Sequence, residues 1–172
     1  MKSVLISIQP KWCELIASGK KTVEVRKTKP KLETPFKVYI YCTNWKDNTY
    51  WKNHYKDKLG KVIGEFVCDS IECFTTDYRA NKEQTERISK QSCVSWYGMA
   101  EYEYNSHCLY GWHISNLVIY DKPRELSEFK KHNRTCYYDH LGLATPKCKE
   151  CEDCQITRPP QSWCYVEERE GY

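Results

Sequence analysis

Several features are missing from this chain, and each absence narrows what the protein can be. Nowhere does it run to about 18 consecutive apolar residues, so no helix that crosses a bilayer is expected. The Met1–Pro10 stretch meets charge and a Trp too soon to form the apolar core of a secretory leader, so the expected location is the cytosol. There is no internal repeat and no low-complexity tract. A G-x-S-x-G elbow is missing, as is a Ser-His-Asp order, and the five histidines (His54, His107, His113, His132 and His140) are scattered. Strong charge of one sign is lacking too. The net charge is +4, from 27 basic and 23 acidic residues, which permits nucleic-acid binding without requiring it.

What is present points to strands. The chain holds 14 Tyr, 6 Trp and 4 Phe, side chains that favour a pleated, half-buried surface over long helices. Its 172 residues suit one domain, 1–172, with insertions, and 40% hydrophobic residues suffice for a core. Strands are expected at Val4–Ile8, Thr22–Lys27, Phe36–Thr43, Lys61–Ser70, Tyr110–Tyr120 and Trp163–Glu167. Pro10 opens a short helix with Trp12, Leu15 and Ile16 on one face, and Gly19 closes it. Asn44–Leu59 reads as a loop or loose helix, Thr75–Gln91 as partly helical, and Pro123, Leu126 and Phe129 as a docking turn. Ser92–His107 is Tyr-rich without a clear pattern. The order predicts an α+β fold: a mostly antiparallel sheet, curled or closed into a barrel, with short flanking helices.

Within the second expected strand, alternation puts Thr22, Glu24 and Arg26 on one face and Val23 and Val25 on the other. Glu24 and Arg26 stand about 7 Å apart at Cα. Lys21 at the strand entrance can reach the same space. Two readings follow: an ordinary surface ion pair, or a preorganised polar site built on the rigid donor fork of Arg26.

Gly19-Lys20-Lys21-Thr22-Val23-Glu24-Val25-Arg26 resembles the G-x-K-x-x-E-x-R signature of the ASCH domain, a relative of the PUA domain, and stands after a first strand and helix as in that family. Gly60–Phe66 resembles the family's central strand, while Trp112-His113-Ile114 and Pro159–Trp163 look like a phage or prophage subgroup. The resemblance implies a PUA-like fold binding RNA, a nucleotide or a modified nucleoside in a groove beside this strand. Ligand-binding candidates are then Lys11, Trp12, Lys21, Glu24, Arg26 and Trp45, with Trp12 stacking on a base and Lys11 meeting a phosphate. Trp12 can equally be a packing residue. Trp45, Tyr50, Trp51 and Tyr55, interleaved with lysines, are either an RNA platform or a loop packed inward.

An enzymatic alternative also comes from the resemblance. Some ASCH proteins are amidohydrolases on modified cytidine, with Lys and Thr from a G-x-K-x-x-T form of the motif and a distant Glu; others are proposed ribonucleases. Here Lys21 matches the Lys, but position 24 is Glu, so the Thr nucleophile is missing. A hydrolase would have to use Lys21 and Glu24, and Glu65 or Glu101 would be candidates for the distant Glu. A third alternative is a phage protein that binds a host protein.

Eleven Cys remain to be explained. Cys42, Cys68 and Cys73 lie in or beside strand-like runs and are expected to be buried thiols. Cys148, Cys151 and Cys154 have the three-residue spacing of zinc ligands, in a Cys-rich insert, Lys131–Arg158, with little apolar content. A structural zinc is expected there, with Cys164 as fourth ligand, or else Cys136 or His140. Free thiols in a loose insert are the other reading, since a full C-x-x-C pair of pairs is absent.

Overall fold

A mostly apolar run makes a strand that is covered on both sides, and this is the position of β1 (Lys2–Ile8), where Ser3 and Ser7 are buried with Val4, Leu5, Ile6 and Ile8. It runs parallel to β3 (Phe36–Cys42), Val4 beside Val38, and antiparallel to β6 (Trp163–Glu167), Leu5 beside Cys164. The structure, a computed structural model, describes residues 1–44, 49–77, 79, 81–132 and 154–168. Between β1 and β3 come α1 (Pro10–Ala17) and β2 (Val23–Arg26). After β3 follow α2 (Thr49–His54), β4 (Val62–Phe74), α3 (Lys82–Ser92), α4 (Trp96–Glu103), β5 (Leu109–Arg124), a 3₁₀ turn at Leu126–Glu128, and β6.

The sheet order is β2-β5-β4-β3-β1-β6. Among the described residues β2 and β6 are its outer strands. The sheet is therefore open and mixed, and the expected closed barrel gives way to the open alternative. The first and third strands run parallel because α1 and β2 intervene and allow a crossover.

Two compact units divide the chain: Met1–Pro10 with Lys37–Glu65 and Ile119–Tyr172, and Lys11–Phe36 with Phe66–Val118. The first has a core of Leu5, Tyr39, Tyr41, Val62, Leu126, Phe129, Ile156 and Val166, with Tyr39 and Phe129 edge to face at 5.0 Å. The expected docking turn thus contributes Leu126 and Phe129. The second is built on Val23, Val25, Phe74, Ile88, Met99 and Leu109.

Two strands outrun their expected ends: β4 extends to Phe74 and β5 to Arg124. The extra residues are Ile71–Phe74, cut off from the apolar run by Asp69 and Ser70, and Asp121–Arg124, which are charged apart from Pro123. The Tyr-rich stretch holds α4, opened by Ser95, whose hydroxyl accepts from the Gly98 amide at 3.2 Å, and anchored by buried Met99. Cys42 and Cys68 are buried as expected, but Cys73 is exposed, because it stands on the outward face near the end of β4. Among the described residues no helix is long and apolar enough to cross a membrane.

Candidate functional site

The motif strand lies in the second unit. The turn into it is made by Gly19, at φ +72°, a backbone conformation that favours glycine, and by the Lys21 amide donating to Leu15 O at 2.9 Å. All four residues of β2 are buried. Val23 and Val25 enter the apolar core, which turns Glu24 and Arg26 to the other face. There Glu24 stands opposite Trp112 of β5 and Arg26 opposite Tyr110.

Three charges meet on that face. Lys21 Nζ lies 3.2 Å from Glu24 Oε2, and Arg26 Nη2 lies 3.0 Å from Glu24 Oε1. Lys21 Nζ also donates to Ser92 O at 2.8 Å. Ser92 is the last residue of α3, so the ammonium sits against a helix C-terminus, where the dipole favours a cation. The three residues are 2%, 6% and 9% exposed. One carboxylate thus stands between two cations in a place nearly closed to water. Removing such ions from water costs several kcal/mol each, so the trio is a poor device for stability alone.

What water reaches beside the trio is an aromatic ring. Trp12 is half-buried on α1. Lys11 Nζ lies 4.4 Å from its ring centre and Lys21 Nζ 5.1 Å. The arrangement offers a π-face, the ammonium of exposed Lys11 and buried cations behind it, which suits a planar anion-bearing ligand.

A second cluster in this unit centres on Glu72. Its Oε1 is 2.7 Å from His113 Nε2 and 2.9 Å from Arg87 Nη1; its Oε2 is 2.6 Å from Arg87 Nη2 and 3.0 Å from Gln84 Nε2. Chiefly the Arg87 hydrogen bonds, with those of Gln84 and His113, hold its carboxyl down to about 2 against the opposing effect of burial.

The structure brings Lys11, Trp12, Lys21, Glu24 and Arg26 into one neighbourhood. Trp45 lies outside the described residues. Tyr50, Trp51 and Tyr55 contact one another in the first unit, with Tyr50–Trp51 at 5.0 Å and Trp51–Tyr55 at 5.7 Å, and Tyr55 is buried. Of the two carboxylates considered as a distant Glu, Glu65 is engaged by Lys37 at 3.1 Å and by the Tyr120 hydroxyl in the first unit, and Glu101 is exposed on α4. Cys136, His140, Cys148 and Cys151 lie outside the described residues. Cys164 is half-buried against the first unit's core, and burial pushes its thiol up to about 11. Among the described residues no cluster of three or more His, Cys, Asp or Glu could hold a metal.

Sequence reasoning missed the Ser92 carbonyl, which no side-chain pattern announces. It also left unplaced the tyrosines in and just after α4, although Lys27 Nζ stands 5.3 Å from the Tyr102 ring centre and donates to Tyr104 O at 3.0 Å.

The family model described as the ASCH domain matches residues 6–134. Crystal structures of an ASCH protein from Zymomonas mobilis share the fold at 17% identity. A serine-to-alanine variant superposes with a TM-score of 0.62, covering 96% of this chain and 89% of that one. The protein without that change gives 0.57 over 96% and 88%. A tyrosine-to-phenylalanine variant gives 0.57 over 98% and 92%. At that identity the likeness is one of fold. No curated protein matches the chain.

Proposed function

The chain belongs to the ASCH domain family, a PUA-like group that in general binds RNA, and from that premise we propose that it binds RNA or a nucleotide at Trp12, with the Lys21–Glu24–Arg26 trio supplying positive potential behind the ring. The observation that carries this reading is the half-buried indole with two ammonium groups within 4.4 and 5.1 Å of its centre. A base stacks on the indole and Lys11 moves from the ring to the phosphate. Arg26 and Lys21, already ordered by Glu24, lose little conformational freedom when a ligand arrives. A modified nucleoside falls within the same ligand class.

Binding is favoured over hydrolysis by the state of Glu24. Each of its oxygens faces a cation. That arrangement suits a fixed counter-charge better than a base that must accept a proton. The test is fluorescence anisotropy with labelled RNA and competing mononucleotides. Trp12→Ala should weaken binding by about 1–3 kcal/mol, and Lys11→Ala should lower the slope of log affinity against log salt by about one. Unchanged affinity in Trp12→Ala would remove the site. Incubation with tRNA and a panel of modified nucleosides, read by mass spectrometry, decides the chemistry: cleaved RNA or a released base modification would make Lys21 and Glu24 catalytic groups of a hydrolase.

Cys148, Cys151 and Cys154, with Cys164 or Cys136, form the proposed structural zinc set, which rests on spacing and on the polar composition of the insert. Elemental analysis should find about one zinc per chain, and a metal-free protein with the same thermal stability would return these cysteines to the free-thiol reading.

A further inference from the structure

Beyond Trp12, the second unit carries more lysine–aromatic pairs. Lys27, the residue after β2, places its Nζ 5.3 Å from the centre of the Tyr102 ring and donates to Tyr104 O at 3.0 Å. Lys29 places its Nζ 5.7 Å from the Tyr110 ring centre. Tyr104 is 75% and Tyr102 39% exposed, high values for such rings. Exposed rings set beside lysines have the composition of a single-stranded nucleic-acid platform.

Charge gives the partner's sign. Residues 11–36 hold seven Lys and Arg (Lys11, Lys20, Lys21, Arg26, Lys27, Lys29, Lys31) against three Glu (Glu14, Glu24, Glu33), a net +4 that equals the net charge of the whole chain. Of the acidic side chains on α4, Glu103 is taken up by the amide and hydroxyl of Thr76, and Glu101 stays exposed. Lys21 and Lys27 stand at either end of the extended strand β2, Val23–Arg26, whose three residue steps alone span about 10 Å at about 3.3 Å each. In a stacked strand phosphates recur about every 3.4 Å, so the pairs spread over several nucleotides rather than one.

We infer that the ligand is single-stranded RNA, bound along a track that continues from Trp12 to Tyr102, Tyr104 and Tyr110, with Lys27 and Lys29 at its phosphates. This rests on the reading of Trp12 as a base platform. Each lysine now leaning on a ring holds that ring oriented, and swings to a phosphate when a base takes the ring's face. Stacking on such rings is tolerant of sequence and needs unpaired bases.

The experiment compares a labelled oligouridylate, the matching RNA duplex and uridine monophosphate on the full chain. The oligouridylate should bind at least about tenfold tighter than the mononucleotide, as expected when more than one base stacks. Tyr102→Ala/Tyr104→Ala should weaken the oligouridylate about tenfold and leave the mononucleotide unchanged, while Tyr102→Phe retains binding. Lys27→Ala/Lys29→Ala should lower the salt slope by about two. An oligouridylate no tighter than the mononucleotide, a duplex that binds as well, or an unaffected tyrosine double variant would each overturn the track, while mononucleotide binding lost in Trp12→Ala would leave the Trp12 site standing. Oligouridylate binding that needs Tyr102 but not Trp12 would overturn the Trp12 site and the track's start there. Failure of every probe to bind would overturn both.

Discussion

Both units hold a knot of three charged side chains, and the two knots differ in charge and in water. In the first unit Lys37 stands 3.1 Å from Glu65 and 3.6 Å from Glu168, while Glu65 also accepts from the Tyr120 hydroxyl. That is one cation against two carboxylates, and Lys37 and Glu65 are each 24% exposed at the side chain. In the second unit two cations share Glu24, and none of the three side chains is more than 10% exposed. Burial lowers the pKa of Lys37, but Glu65, Tyr39 and Glu168 outweigh it and the net movement is upward. The first knot holds strands together in a wet setting and is close to ordinary surface chemistry. The second holds two cations and a carboxylate away from water, where each ion costs free energy that its partners must offset.

The comparison breaks most easily at Glu24. Glu24→Gln keeps the shape and removes the counter-charge of two buried cations, so it should cost about 3–5 kcal/mol, read as a fall in the urea midpoint. A midpoint like that of the wild type would show the second knot to be as wet as the first. Lys21→Met removes one cation and leaves Glu24 paired with Arg26. Its expected cost, about 1–3 kcal/mol, should appear locally as faster amide exchange in the last turn of α3, where Ser92 O loses its donor.

Glu72 lies between the two extremes. Its carboxyl is lowered from an ordinary 4.5 to about 2 by Arg87 above all. A depressed pKa in the folded state means stability that is fully present above 4.5 and is lost as pH falls from there towards 2. Arg87 is 45% exposed, so the contribution is discounted for solvent screening, to about 1 kcal/mol. Acid titration of Glu72→Gln should therefore show a flatter loss of stability between pH 4.5 and 2 than the wild type. Smallest of all should be Lys37→Met, at about 0–1 kcal/mol. A larger loss there would mean that the first knot is drier than its exposure indicates.

How much of this was legible beforehand differs from element to element. Six apolar or alternating runs correspond to the six strands among the described residues, because period-two patterning follows from which face is covered. The partners of Glu24 were also legible: alternation and adjacency put Lys21 and Arg26 within its reach whatever the tertiary structure. The last four residues of β4 and of β5 were not, since Ile71–Phe74 follow the polar pair Asp69-Ser70 and Asp121–Arg124 carry no apolar run, and α4 was hidden behind tyrosines that suit a strand as well as a helix.

By itself the sequence determined the order of elements, the separation of Val23 and Val25 from Glu24 and Arg26, and the family to which the chain belongs, because these depend on neighbours in the chain. Only the tertiary structure decided that the sheet stays open, that Cys73 faces outward, and that the charged trio is buried against the end of α3. The physical reason is distance along the chain. Lys21 and Ser92 are 71 residues apart, and no local pattern tells a lysine which helix end it will meet or how much water will be left around it.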